Sequence, residues 1–290
     1  MQEYPEWLKV KSPSPLAAEG MRAVRKILEK HSLTTVCQEA LCPNAVECWG
    51  ARTATFMLLG GICTRACRFC AVPTGNPEGR VDSGEPRRLE AAVAELGLSY
   101  VVITSVDRDD LADGGAGVFT EAIQRIKSRV PHVRVEALVP DFGGKDEAMQ
   151  KIAASAPDVI GHNLETVRRL SPRLRDARAT YDLSLHVLAE YDRVIPNAIT
   201  KSSLMLGMGE EMGEIVHTLD DLRSAGVDAL TLGQYMQPTA SAVPVTRYLN
   251  PEEFDSLADK AKEMGFCSVV AGPLVRSSYR AAEVFKECSV

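Results

Sequence analysis

From residue 53 to residue 270, short runs of β-branched and apolar residues alternate with longer stretches in which apolar positions return every three or four residues. Thr53–Leu59, Tyr100–Thr104, Val133–Val139, Asp158–Leu164, Ser203–Leu206, Ala229–Leu232 and Ser268–Val270 read as strands. Between them Glu85–Leu96, Val118–Val130, Asp146–Ala154, Tyr181–Val194, Met212–Ala225 and Pro251–Met264 read as amphipathic helices, with a further short helical stretch at Thr166–Leu170. Leu89, Val93 and Leu96 align on one such face, and Phe119, Ile123, Ile126 and Val130 on another. Strands separated by crossover helices lie parallel, and repeated right-handed crossovers give either an open doubly wound sheet or a barrel. No G-x-G-x-x-G follows the first strand, which disfavours the dinucleotide-binding sheet. The pattern favours an α/β fold in which the strands close into a barrel, complete or partial. Its functional residues belong at the C-terminal ends of the strands.

Ahead of this series, three prolines in residues 1–15 favour an extended arm, and Leu16–Lys30 reads as a helix with Met21, Val24, Ile27 and Leu28 on one face. An irregular segment around Pro43 follows. Composition narrows the function classes. The formal charge is −6, and no basic tail or aromatic-basic interleaving appears, so nucleic acid is not an expected partner. No apolar run approaches the ~20 residues of a membrane span, and Met1–Lys11 has no hydrophobic stretch to serve as a signal peptide. The expected location is the cytoplasm, where thiols stay reduced and clustered cysteines bind metal more often than they form disulfides.

Six of the eight cysteines fall into two sets of three: Cys37, Cys42 and Cys48 spaced C-x4-C-x5-C, and Cys63, Cys67 and Cys70 spaced C-x3-C-x2-C. Each set is one thiolate short of the four that close a zinc site or a fully thiolate-ligated cubane. Zinc needs a fourth ligand, and the nearest histidine, His31, is remote from the second set. That second set follows the first barrel strand and opens at Gly60 and Gly61, a position at the mouth of the barrel. Three thiolates on a tight loop can grip three irons of one cubane, leaving the fourth iron for a small amino-carboxylate chelate. Arg65 and Arg68 place positive charge beside such a cluster.

The C-x3-C-x2-C spacing with Phe69 before the last cysteine resembles the radical S-adenosylmethionine superfamily. The upstream cysteine set, the segment Ile103 to Asp110, the segment His162 to Thr166, and the run Arg276-Ser277-Ser278-Tyr279 together resemble the lipoyl synthase family over nearly the whole chain. The resemblance implies two [4Fe–4S] clusters and S-adenosyl-L-methionine. One cluster sits on Cys63, Cys67 and Cys70 and acts in catalysis. The other, auxiliary, sits on Cys37, Cys42 and Cys48, with a serine oxygen as fourth ligand: Ser278, or else Ser277. It implies an extension over 1–52 carrying the auxiliary motif, a radical barrel over 53–272 that is a partial TIM-type (β/α)6 barrel of parallel strands, and a C-terminal extension over 273–290. It implies insertion of two sulfur atoms at carbons 6 and 8 of a lysine-bound octanoyl chain, the sulfur coming from the auxiliary cluster. The implied partners are an octanoylated lipoyl-carrier domain of a 2-oxoacid dehydrogenase subunit or glycine cleavage H protein type, a one-electron reductant of ferredoxin or flavodoxin type, and an iron–sulfur cluster donor. A biotin synthase-like enzyme and an iron–sulfur carrier protein are the alternatives.

Around the mouth, Phe69, Thr104, Ser105, Asn163, Glu165, Lys201, Gln234 and Met236 are expected to hold S-adenosylmethionine, Lys201 through its carboxylate and Met236 and Phe69 against adenine. Polar residues at strand ends also cap helices. Asp107 to Asp110 form a charge run expected to be a solvated loop with a possible gating role. Arg168, Arg169, Arg173, Arg175 and Arg178 form a basic stretch, read either as a solvated face or as a dock for an acidic carrier. Cys267 is expected to be a buried small hydrophobe, and Cys288 carries no inferred role.

Overall fold

The computed structural model describes residues 5–9, 15–39, 42, 44–50 and 55–289. Most of the expected N-terminal arm, Pro43 and Thr53 lie outside the described residues. In chain order the elements are α1 (Pro15–His31), β1 (Thr34–Thr35), α2 (Val36–Glu39), α3 (Ala45–Gly50), β2 (Thr55–Leu58), α4 (Glu85–Leu96), β3 (Tyr100–Ser105), α5 (Ala116–Arg129), β4 (Arg134–Leu138), α6 (Asp146–Ala154) and β5 (Val159–Gly161). There follow α7 (Ser171–Leu174), α8 (Tyr181–Val194), β6 (Ile199–Leu206), α9 (Met212–Ser224), β7 (Ala229–Gln234), α10 (Pro251–Glu263), β8 (Ser268–Gly272) and α11 (Ala281–Cys288). The strands pair in chain order from β1 to β8, β1 antiparallel to β2 and every later pair parallel. Among the described residues β8 pairs only with β7, so the sheet is a partial TIM-type barrel with one open edge.

Alternation along each strand sorts the residues. Met57, Thr104, Leu138, Ser203, Met205 and Gly233 face the barrel interior, where they line its cavities. Phe56, Leu58, Ile103, Val135, Ala137 and Ile160 face outward, into the core shared with α1, α4, α5, α6 and α8. Leu204, Leu206, Leu230 and Leu232 do the same against α8, α9 and α10. Local chemistry sets the helix ends. The Asn250 side chain accepts from the Glu253 backbone N–H at 2.9 Å, Glu253 accepts from Asn250 N–H at 3.0 Å, and Pro251 follows. Gly97 ends α4 with φ 61°, a left-handed conformation that suits glycine.

Three expectations shift. Thr166–Leu170 is not helical, and the only helical turn of that region is α7. The strand expected at Ser203–Leu206 begins four residues earlier, because the interior accepts Lys201 as a paired residue. The strand expected over Asp158–Leu164 is confined to Val159–Gly161.

Candidate active site

The loops that leave the C-terminal ends of β2, β3, β4 and β5 surround a cavity of about 260 Å³. Cys63, Cys67 and Cys70 all line it, with Phe69, Thr104, Ser105, Asn163 and Glu165. Its apolar wall includes Val36, Met57, Val106, Leu138 and Val139, and Ser277 enters from the C-terminal segment. A second cavity of about 370 Å³ adjoins it under β6 and β7. The two share Val36, Phe69, Cys70, Asn163, Glu165 and Ser277, and the second adds Tyr235, Met236 and Arg276.

The loop carrying the second cysteine set is fixed by its own backbone. Cys63 N–H donates to Pro73 O at 2.9 Å, and Gly75 N–H returns to Cys63 O at 2.9 Å. Each sulfur of the set receives one backbone N–H at 3.4 Å: Arg65 N to Cys63 Sγ, Val72 N to Cys70 Sγ, and Asp176 N to Cys67 Sγ. Donors aimed at sulfur stabilise thiolates and raise the potential of a cluster they hold. Without a metal the sites favour protonated thiols. Burial pushes Cys63 up to about 11 and Cys67 up to about 12, and it raises Cys70 as well. Bound iron replaces those protons.

The first set is built differently. Cys37 lies on α2, Cys48 on α3, and Cys42 between them, with Cys42 N–H donating to Cys37 O at 3.2 Å. The three thiols are close enough to repel as thiolates: after burial, Cys37 is the main like charge raising Cys42, and Cys37 with Cys42 helps push Cys48 up to about 12. The C-terminal segment reaches this set at several points. Asn44 Nδ2 donates to Leu274 O at 2.6 Å, half-buried Arg276 lies beside Cys42, and Tyr279 Oη donates to Glu47 at 3.0 Å. Among the described residues no three His, Cys, Asp or Glu side chains surround a single metal-sized point. A cubane presents separate irons to separate thiolates and does not require one.

Two expected contacts lie elsewhere. Lys201 is buried in the barrel beneath the cavities, where its Nζ pairs with Glu136 at 2.8 and 3.1 Å while Tyr100 Oη donates to the same carboxylate at 2.6 Å. Gln234 is fully buried and structural: its Nε2 donates to Tyr235 O and Arg247 O, and its Oε1 accepts from Leu249 N–H. Ser278 is near the site but engaged, accepting from Thr55 Oγ1 at 2.8 Å, whereas Ser277 lines both cavities.

The charge run is not a solvated loop. Arg65, almost fully buried, holds Asp141 with two bonds of 2.6 Å and Asp109 with two of 3.0 and 2.9 Å, tying the cysteine loop to the loops after β3 and β4. Asp107 faces Cys63 Sγ at 3.9 Å, and burial pushes it up to about 6. Arg108 is buried on Asp110. The positive charge expected from Arg65 is therefore cancelled by its carboxylates. Four of the five arginines in the basic stretch are engaged: Arg168 pairs with Asp182, Arg169 with Glu214, Arg178 with Asp176 and Asp109, and Arg175 is buried against Ser184, while Arg173 is exposed. The alternation of charge signs was the available signal for Arg65, but only the fold shows that these loops converge.

A model of the radical SAM superfamily matches residues 57–222. A lipoyl synthase of Thermus thermophilus is 54% identical over 285 residues, covering 98% of this chain and 87% of that protein. One of Deinococcus radiodurans is 53% identical, covering 98% and 85%. The chain belongs to the lipoyl synthase family. Lipoyl synthases are radical, sulfur-inserting enzymes, and membership decides against the biotin synthase-like and carrier alternatives. Among solved structures, the FeFe-hydrogenase maturase HydG of Carboxydothermus hydrogenoformans aligns over 94% of this chain and 78% of its own, with a TM-score of 0.53 at 15% identity. Methylornithine synthase aligns over 81% and 64%, with a TM-score of 0.52 at 14% identity. These two support the fold. No helix among the described residues is long and apolar enough to cross a membrane.

Proposed function

We propose that this chain inserts two sulfur atoms, at carbons 6 and 8, into an octanoyl chain amide-linked to a lysine of a lipoyl-carrier domain. The observation that carries the reading is continuity. One cavity touches the three cysteines of the radical loop, Val36 beside Cys37, and Ser277 of the segment that meets the first cysteine set. A substrate lying there touches the second set and the residues that flank the first.

Cys63, Cys67 and Cys70 hold one [4Fe–4S] cluster, and the N–H groups on their sulfurs keep them as thiolates. With S-adenosylmethionine bound, that cluster supplies the one-electron cleavage whose carbon radical removes hydrogen from an unactivated C–H bond. Phe69, Asn163, Glu165 and Met236, around the shared wall of the two cavities, hold S-adenosylmethionine. Thr104 and Ser105 complete the wall on the β3 side. The apolar wall of Val36, Met57, Val106, Leu138 and Val139 takes the octanoyl chain and keeps water from it. Cys37, Cys42 and Cys48 hold the auxiliary cluster, which is the sulfur substrate. A serine oxygen closes that site, Ser278 with Ser277 as the alternative. An alkoxide matches iron less well than a thiolate and suits a cluster that must be given up. The reading places the chain in the cytoplasm with a ferredoxin- or flavodoxin-type reductant and an iron–sulfur donor that reloads the first set.

The test is anaerobic incubation of the cluster-loaded chain with an octanoyl-lysyl lipoyl-domain peptide, S-adenosylmethionine and a reductant. The expected product is the peptide with two sulfur atoms gained, and 5′-deoxyadenosine. Leu138→Trp, which fills the apolar wall, is expected to keep S-adenosylmethionine cleavage and lose sulfur insertion. Full sulfur insertion by Leu138→Trp argues against the acyl site.

A further inference from the structure

Cys267 and Cys288, outside both sets, are joined as a disulfide, with Cα atoms 5.2 Å apart and a sequence separation of 21. Cys267 is exposed rather than buried in the core, just ahead of β8, and Cys288 ends α11. The stretch they enclose crosses the open edge of the barrel. From the end of β8 it passes Gly233, where a Cβ atom would lie 2.0 Å from Val275 O, meets Asn44 and Cys42, and reaches Thr55 at the start of β2. It then enters α11 under the barrel, where Phe285 packs on Tyr100 and beneath Arg134, at the starts of β3 and β4. All the contacts named between the C-terminal segment and the first cysteine set fall inside this loop.

Apart from the Phe285 packing and a hydrogen bond from Ser268 Oγ to Glu287, little holds α11 non-covalently. It has eight residues, too few for a helix to persist without packing. It follows Arg280 in a left-handed conformation at φ 51°, and its fully covered side chains are Ala281 and Val284. A covalent tie at the far end of such a helix decides whether the segment before it can lift.

We propose that Cys267 and Cys288 are a redox-modifiable pair that latches the C-terminal segment across the open edge. As a disulfide the pair holds residues 273–289 shut; as two thiols it lets them open. The oxidant is a low-molecular-weight disulfide. One thiolate of the pair attacks it and releases a thiol, and the second thiolate displaces the other half, so two electrons and two protons pass to the two released thiols. A dithiol reverses the sequence. The consequence, that opening exposes the first cysteine set for reloading, rests on the function proposed above; the latch itself does not.

The experiment uses the full cluster-loaded chain, held anaerobically in oxidised glutathione or in dithiothreitol, with peptide mass mapping after alkylation and hydrogen exchange of the backbone. Oxidised glutathione is expected to give the cross-linked Cys267–Cys288 peptide. Dithiothreitol is expected to open it and to speed exchange of residues 273–289 and 44–49 about tenfold, leaving β3 and β4 unchanged. Cys267→Ser and Cys288→Ser are expected to exchange at the fast rate in both buffers. The latch is overturned if no cross-linked peptide forms, or if exchange is the same with disulfide and dithiol. Failure of the sulfur-insertion reading alone would appear as no thiolated product with the exchange difference intact.

Discussion

The second cysteine set lines one cavity, which the first adjoins through Val36 and the C-terminal segment, yet the two sets are held in opposite ways. The loop of Cys63, Cys67 and Cys70 is pinned from several sides. Arg65 locks it to Asp109 and Asp141, Arg68 N–H donates to Leu174 O at 2.7 Å, Val243 N–H donates to Arg68 O at 2.9 Å, and each sulfur has its own N–H donor. The set of Cys37, Cys42 and Cys48 rides on helices of four and six residues, and a C-terminal segment covers it through a handful of hydrogen bonds. Rigidity on one side and the proposed removable cover on the other suit the two fates that the proposed function assigns: a cofactor that must return unchanged after each turnover, and a sulfur source that must be dismantled and replaced.

The sharpest way to break the comparison is to disable one side. Cys67→Ala is expected to abolish 5′-deoxyadenosine formation while the first set keeps its cluster, so that iron falls from about eight to about four atoms per chain, as elemental analysis and absorbance will show. The anchors come next. Arg65→Met leaves the buried Asp141 and the more exposed Asp109 without their cation, and breaking the buried Arg65–Asp141 pair costs about 3–5 kcal/mol. Denaturant unfolding should register that loss, with hydrogen exchange rising in residues 63–70 and not in residues 44–49.

Acid should act on the barrel wall behind the rigid set. Burial holds the His162 imidazole down at about 4, against an ordinary 6.5, and its ring nitrogens are bonded to Val139 O and Ser184 Oγ at 2.9 Å. A histidine kept neutral in the fold contributes stability above pH 6.5 that is lost as the pH falls towards 4. The shift corresponds to about 3 kcal/mol. Unfolding free energies between pH 7 and pH 4 should slope downward in the wild type and less so in His162→Gln; equal slopes would remove His162 from the account. The smallest effect is expected at the cover. Tyr279→Phe deletes one exposed bond to Glu47, costing about 0.5 kcal/mol, with faster exchange of residues 44–49 and no change in residues 63–70.

The same contrast governs how much could be read before the fold was known. Alternating strand and helix periods gave the parallel sheet because that signal is local, and the cysteine spacing with Phe69, equally local, marked the two sets on which the proposed function rests. Lys201, Gln234 and the charge run were misplaced for one physical reason. A polar residue at a strand end can point to solvent, to a ligand, or into a paired interior, and the choice depends on partners far away in sequence, such as Glu136 for Lys201 and Asp141 for Arg65. Cys267 and Cys288 are likewise brought together only by the return of α11 beneath the barrel.

The central claim is that one cluster persists while its neighbour is consumed. Loading both sets with ³⁴S-sulfide and allowing a single turnover in unlabelled buffer, with an octanoyl-lysyl lipoyl-domain peptide and S-adenosylmethionine, tests it most directly. The account predicts a product carrying two ³⁴S atoms and a chain that retains about four irons and still forms 5′-deoxyadenosine. Unlabelled sulfur in the product, or loss of the iron held by Cys63, Cys67 and Cys70, would contradict it.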